Sequence, residues 1–577
     1  VSSDRVPWGA QACLLAAAFL GVALVVYGPA LRGGFVSDDF HYLVNNRWLH
    51  ELSVENARAI LDPLGPTARN VVNYAPVQLL IHAAAWQAFG RETLGHHAIN
   101  VALHALASWL LVLLLLRHGV PRLGAVLGGL FFLVHPANVE AVAWISQLKS
   151  SASLVLSLCA LLAWPRRPLA GALLFAAALL AKATAAFVLP VAWLLEWSET
   201  GRVRWRFALA GVVALAAFSA VELVAHQRSG AAAATLHGTP LVLARTVAAL
   251  GLRYLAMAAT SWGVSAFHEP EPARSALDPW WLASLPVYAL IAWRLAVLAR
   301  RAFPGEEDAA GPQQAERAAG GSSCGAPPSS RGARPSRAEL AYWVWALVSF
   351  APVSQIFPFL YPMADRYLYF ILPGLVGAAL LLGAEAVGRL RVPTRVAAAL
   401  GALACLALAA RSHERAAIWR SGALLQADAA AHYPDGRVAS LVRARRAAFA
   451  GDTEAALSEL ERAVARGYNR FEQLETDAAW EVLRAEPRFR ALVDELAARW
   501  IASARRKASP TQVELRALAH AHVARREYAD ALRAYEAALA AGGPDGQAIR
   551  AELEVVRRAL ASGDPGVRVR LGVTSPE

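Results

Sequence analysis

Two carboxylates stand side by side in Phe35-Val36-Ser37-Asp38-Asp39-Phe40, just beyond the first apolar stretch of the chain. Acidic groups beside a bilayer are costly to keep, and the chemistry open to them there is proton abstraction or cation binding. A solvated loop is the plainer use of the same dipeptide, because acidic pairs are common at membrane surfaces. Glu140 follows His135-Pro136, where an apolar run ends, and could orient an acceptor or share a cation with Asp38 or Asp39. Arg366, in Pro362-Met363-Ala364-Asp365-Arg366-Tyr367-Leu368-Tyr369, carries a planar fork that stays charged and suits a bidentate grip on phosphate. Its structural use would be a salt bridge to Asp365 or an interfacial anchor. Lys182 interrupts Leu180-Ala181-Lys182-Ala183-Thr184; a lysine there needs an anionic companion or must snorkel to the interface. His97, Asn100 and His104 share one helix face, where hydrogen bonding within a bundle is the ordinary role and metal binding the rarer one.

The background to these groups is a chain of 577 residues, 56% apolar and 17% charged, with a mean hydropathy of +0.37. That balance describes a polytopic membrane protein. A net charge of +12 and a pI near 9.9 would suit a nucleic-acid partner. Arginine, however, collects in short loops between apolar runs, and no basic face with interleaved aromatics is present, so the excess reads as an orientation signal. Cys13, Cys159 and Cys405 lie within apolar runs and Cys324 within a Gly/Pro/Ser-rich stretch, which gives neither a disulfide framework nor a thiolate metal site. Heavy use of Ala, Arg, Leu and Gly with two Met reads as a high-GC bacterial coding sequence.

The elements that must position the polar groups are apolar spans at about 11–31, 97–116, 123–138, 150–164, 169–184, 185–197, 207–225, 280–298, 340–360, 367–387 and 396–411, about eleven in all. The first reads as a retained anchor. The stretch 169–197 is short for two crossings and could be a re-entrant pair. Arg117, Arg122, Arg166, Arg167, Arg202, Arg204, Arg206, Arg300, Arg301, Arg389, Arg391 and Arg395 fall on one side, expected to be the cytoplasm together with the N-terminus. Asp38-Asp39, His135-Pro136, a loop or interfacial helix at 226–279 and the whole of 412–577 then face the periplasm. Residues 303–337 read as a disordered cytoplasmic loop. The expected fold class is all-α: a membrane bundle over 1–411, then a helical-repeat domain over 412–577. Gly451 to Leu457 and Tyr528 to Leu539 carry the small and aromatic residues that tetratricopeptide helix pairs need.

In order and spacing the motifs resemble the transmembrane and tetratricopeptide-repeat O-mannosyltransferases and their bacterial relatives, glycosyltransferases of the GT-C class. The resemblance rests on Ser37-Asp38-Asp39, Tyr74-Ala75-Pro76-Val77, His97 to His104 with Asn100, Phe132 to Trp144 around His135-Pro136 and Glu140, Leu180-Ala181-Lys182, Asp365-Arg366-Tyr367-Leu368-Tyr369 and the C-terminal repeats. It implies a GT-C-like membrane domain and inverting transfer of a mannose-like hexose from a polyprenyl-phosphate donor. The acceptor would be a hydroxyl, Ser or Thr of a periplasmic protein presented by the repeats, at a bacterial inner membrane. Carried over by position, Asp38 or Asp39 is the general base, Glu140 a second acid beside the acceptor, and Lys182 and Arg366 neutralise the departing lipid phosphate. Tyr74, His97, Asn100, His135, Asp365 and Tyr367 support them. No cofactor is required, although Asp38 and Asp39 could hold Mg or Mn with waters. Ala75, Lys149, Ala183 and Asp365 stand where the family usually shows Arg, Arg, Glu and Glu. Two other readings use the same residues differently. An O-antigen ligase- or polymerase-like oligosaccharide transferase would depend on Arg228, Arg245, Arg253 and Arg274, and a non-catalytic scaffold would depend on the repeats alone.

Overall fold

The computed structural model describes residues 10–71, 73–229, 239–302, 328–356, 361–505, 510–543 and 545–562. Among the described residues every regular element is a helix. Among the described residues eight helices are long and apolar enough to cross a membrane: Ala10–Tyr27, Thr93–Arg117, Ile145–Ala163, Trp205–Val224, Pro240–Thr260, Pro279–Ala302, Asp365–Leu390 and Thr394–Ile418. A ninth is added if Arg122–Leu133 and Pro136–Ala143, bent by 48° at His135-Pro136, form one broken span. Among the described residues the candidate spans number eight or nine against about eleven expected: Pro168–Ala181 and Val188–Thr200 have 14 and 13 residues, short of the ~20 a crossing needs, 340–360 supplies no candidate span, and Pro240–Thr260 adds one that was not expected. The stretch 226–279 holds the apolar helix Pro240–Thr260, and the last apolar helix runs to Ile418, past residue 411. The expected loop 303–337 lies largely outside the described residues; its described part, from Pro328, belongs to the helix Pro328–Phe350.

Thr93–Arg117 sits at the centre, packed against Ala10–Tyr27, Arg122–Leu133 and Leu148–Ala163. The Ile145–Ala163 window is 78% buried, whereas the Thr394–Ile418 window is 6% buried and turns Leu400, Leu403 and Leu406 outward. Helices of the second kind need lipid around them. Asp365–Leu390 approaches Pro328–Phe350 backbone to backbone at Gly374. A Cβ there would lie 2.7 Å from Ala346 N and 2.8 Å from Tyr342 O, so only glycine permits that contact.

Breaks at 133–136 and 144–147 interrupt the helical ladder inside the bundle, where each freed carbonyl must find a donor. Asn138 Nδ2 donates to Phe132 O at 2.6 Å, Tyr27 hydroxyl to Leu133 O at 3.0 Å and Ser412 hydroxyl to Val134 O at 2.7 Å. Asn100 Nδ2 donates to Trp144 O at 3.0 Å and Ile145 O at 3.3 Å. Irregular backbone is thereby fixed where the functional side chains leave it.

After Ile418 the chain is amphipathic. Arg437–Phe449 packs on Thr453–Ala465, Gln512–Ala524 on Tyr528–Ala540, and Tyr528–Ala540 on Gly546–Ser562. Between these pairs Phe471–Thr476 and Ala478–Leu483 are short and irregular, closing a core with Trp480, Leu483 and Phe489. The first helix, Gly422–His432, is tied to the membrane bundle: Asp428 pairs with Arg415 at 3.1 Å and accepts from Ala266 N at 2.8 Å.

Candidate functional site

The broken segment 140–150 gathers the charged groups. Ser37 adopts a left-handed backbone with φ 50°, a conformation costing a non-glycine residue roughly 1 kcal/mol. The turn leaves Asp38 exposed and carries Asp39 into full burial. Asp39 Oδ2 accepts from Val36 N at 3.0 Å, and Oδ1 accepts from Ser146 N at 2.7 Å and from the Ser146 hydroxyl. Burial pushes the Asp39 carboxyl up to about 7, against hydrogen bonds that favour its ionised form. Trp144 Nε1 donates to Val36 O at 3.3 Å, so the acidic loop is held to the 140–150 segment twice.

Glu140, buried to 2% exposure, joins that segment to Arg366: its Oε2 accepts from Arg366 N at 2.7 Å and its Oε1 pairs with the guanidinium. The Arg366 guanidinium lies 5.5 Å from the Trp144 ring centre, 5.2 Å from Tyr361 and 5.0 Å from Tyr367. Tyr361 also lies within electrostatic reach of Asp38, and burial with that carboxylate pushes its hydroxyl up. Lys182, in extended backbone between two helices, donates to the Ser150 hydroxyl at 2.7 Å, lies 5.3 Å over Phe370, and is within electrostatic reach of Lys149, Arg366 and Glu140. Lys149 in turn donates to the Tyr42 hydroxyl at 3.3 Å. Acids and bases from four distant stretches thus meet at one end of the bundle.

The remaining sequence candidates divide. Asp365 turns away from Arg366 and pairs with His268 at 2.6 Å while accepting from Ser265 N at 3.1 Å. The internal salt bridge of Arg366 is therefore made with Glu140 and not with Asp365. His104 bonds the Tyr369 hydroxyl at 2.9 Å and Leu133 O at 3.0 Å, and Asn100 serves the 144–145 carbonyls. His97 is buried on the same helix. His135 Nδ1 accepts from Ala137 N at 3.2 Å and caps the turn after the break. Tyr74 bonds Glu222 through its N–H at 2.9 Å and Leu61 O through its hydroxyl at 2.8 Å, and so braces a neighbouring region. Tyr367 lines the aromatic wall around Arg366. Sequence reasoning missed Ser146, Ser150, Trp144 as a bridge, Tyr361 and His268. Pairing of the 140–150 segment with the Asp38-Asp39 loop was the hidden fact. A divalent cation finds little at Asp39, whose oxygens already accept protein hydrogen bonds. Among the described residues, the group of acids and histidine close enough to share an ion is His522, Glu527 and Asp530, far along the chain in the C-terminal helices.

No protein-family model matches the chain, and no solved structure does. A stretch of 161 residues is 34% identical to protein O-mannosyl-transferase Tmtc1 of Drosophila melanogaster, covering 26% of this chain and 18% of that protein. A stretch of 171 residues is 30% identical to protein O-mannosyl-transferase TMTC1 of Mus musculus, covering 28% of this chain and 17% of that protein. The chain spans less than one fifth of the length of these curated relatives. Over about a quarter of its length it is similar to O-mannosyltransferases of this kind.

Proposed function

We propose that the chain is a membrane glycosyltransferase that moves a mannose-like hexose from a polyprenyl-phosphate donor to a hydroxyl of a protein. The observation that carries this reading is the meeting of Asp39, Glu140, Lys182 and Arg366 around the 140–150 segment, with Asp38 beside Asp39 and within electrostatic reach of Tyr361. The partial similarity to two protein O-mannosyl-transferases supports the same class. Asp38 is the proton acceptor, because it is exposed where Asp39 is sealed and engaged. The acceptor oxygen attacks the anomeric carbon, its proton passes to Asp38, and the bond from that carbon to phosphate oxygen breaks with the electron pair going to phosphate. Configuration inverts in a single displacement. Lys182 and Arg366 offset the charge that grows on the departing phosphate, and fixed cations do this without reorganising during the step. Glu140 holds Arg366 in place until phosphate shares it. Asp39 positions the loop through Ser146.

The C-terminal helix pairs, read as tetratricopeptide-like, present the polypeptide acceptor on the same outer face, the periplasmic side of a bacterial inner membrane. No cofactor enters the mechanism. The test is to incubate the purified full chain, in bilayer discs, with a panel of polyprenyl-phosphate sugars and an acceptor peptide rich in Ser and Thr, following donor and peptide by mass. Transfer from one donor that survives EDTA is the expected result. A donor left intact throughout the panel, with D38N and wild type indistinguishable in every assay, would favour the scaffold reading.

A further inference from the structure

Across Asp365 from the Glu140–Arg366 pair, a cavity of about 270 Å³ opens between the bundle and the first C-terminal helices. Its charged lining is Arg253 and Arg411, with His268 and His432 beside them. Among the described residues neither arginine makes an ion pair or hydrogen bond with a protein group. The acids around the cavity bond other groups. Asp365 is held by His268, Ser265 N and, at 3.9 Å, Arg415; Asp428 pairs with Arg415 and Ala266 N; Glu269 accepts from Arg437 N. Asp278 caps its helix by accepting from Trp281 N at 3.0 Å. His268 Nδ1 is bonded to the Tyr433 hydroxyl at 3.1 Å. Two guanidinium forks therefore face the cavity with no carboxylate bonded to either, Asp278 standing only within electrostatic reach of Arg253, which is the chemistry of a site for a tetrahedral oxyanion.

The mouth has a second property. Arg253 lies 4.5 Å over the ring of Trp280, and Trp280 stacks on the exposed Trp262 at 5.6 Å. Trp262 follows the end of Pro240–Thr260 and Trp280 opens Pro279–Ala302, so both indoles stand where two apolar helices leave the hydrocarbon. Tryptophans at that level mark headgroup depth. Met257 and Met363 give the wall apolar surface for the first part of a lipid tail.

We propose that this cavity binds a phosphate group carried by a membrane lipid, gripped by Arg253 and Arg411 at a site separate from Arg366. The site asks nothing of the transfer chemistry. The experiment uses the detergent-purified full chain, with thermal unfolding and native mass spectrometry as readouts and two probes, inorganic phosphate and a short-chain phosphatidic acid. The expected result is that phosphatidic acid binds more tightly than inorganic phosphate. R253Q and R411Q each weaken that binding roughly tenfold or more, as loss of a charge-assisted contact requires. R245Q, which removes a side chain bonded to Arg274 O outside the cavity, leaves it unchanged. R253K and R411K guard against misfolding, since they keep the charge and lose only the fork, and should fall between wild type and the glutamine variants. Equal binding by inorganic phosphate and phosphatidic acid would overturn the lipid assignment. Undiminished phosphatidic acid binding in R253Q/R411Q, or no binding by wild type, would overturn the site. If E140Q/R366Q, which removes the other cation without stranding a buried charge, abolishes this binding in folded protein, the two sites are one and the proposal fails while the transfer reading stands.

Discussion

Asp38 and Asp39 are neighbours with opposite surroundings, so exchanging each for asparagine should fail differently. Asp38→Asn keeps the fold and lowers transfer by about a hundredfold or more, the usual loss when a general base is removed. Asp39→Asn keeps one acceptor oxygen and sets an NH2 against the N–H of Val36 or the donors of Ser146, and costs about 1–3 kcal/mol of stability. The two are also separable by pH. The folded Asp39 carboxyl, near 7, sits above an unfolded value of about 3.9. Between those values the folded chain holds a proton that the unfolded chain has released, so this group's stabilisation is present in acid and declines as pH rises through about 4 to about 7. Unfolding midpoints across that window should fall in wild type and lose the slope in D39N; an unchanged slope would refute the burial argument. Glu140 and Arg366 form the other residue-level test, because removing one member of a buried pair strands its partner at a cost of about 3–5 kcal/mol. Glu140→Gln should therefore destabilise more than E140Q/R366Q does, while transfer is lost in both. A double variant less stable than either single one would show that the pair is not the unit.

At the scale of elements, the breaks matter as much as the helices. Asn100→Leu leaves the Trp144 and Ile145 carbonyls without their donor and should cost about 1–3 kcal/mol. It should also loosen Ser146 from Asp39, so that transfer falls even in protein that remains folded. A proteolysis rate and a single-turnover rate on the same sample check both halves, and an active but less stable N100L would confine Asn100 to stability. The polar face of His97, Asn100 and His104 was legible in the sequence because its spacing is local. The carbonyls served by Asn100 and His104 were not, since they depend on where other helices break. His135-Pro136 announced one break; nothing as loud marks 144–147. The span count was hard to read for a related reason: apolarity shows that 169–197 avoids water, but a short helix buried among neighbours and a crossing look alike in composition. Glu140 and Arg366 are 226 residues apart, and only the packing of Asp365–Leu390 at Gly374 decides that they meet. The sequence named both residues and could not name their bond.

For the molecule as a whole, one helix sets the two membrane faces. Asp365–Leu390 begins at the Glu140–Arg366 pair and ends at Glu385, which binds Arg294 at 2.6 Å, Arg301 at 2.9 Å and Arg389 at 2.7 Å. Arg366 and Glu385 are separated by roughly 28 Å of helix at 1.5 Å per residue, close to the thickness of a hydrocarbon core. The two charge clusters therefore lie at opposite surfaces. Arg389, Arg391 and Arg395 gather at the Glu385 end; in the orientation proposed above, that end faces the cytoplasm and the Arg366 end faces outward. Thr394–Ile418 returns the chain to that outer end, where Asp428 and Glu269 dock the first C-terminal helices against the bundle. A reporter that works only outside the cytoplasm should be active when fused after Glu577 and silent when fused after Leu390, in equally expressed chains. The reverse pattern would place Asp38 and Arg366 inside the cell and remove the donor arrangement proposed for them. Activity at neither junction would mean that Thr394–Ile418 does not cross, even though Leu400, Leu403 and Leu406 are exposed along it.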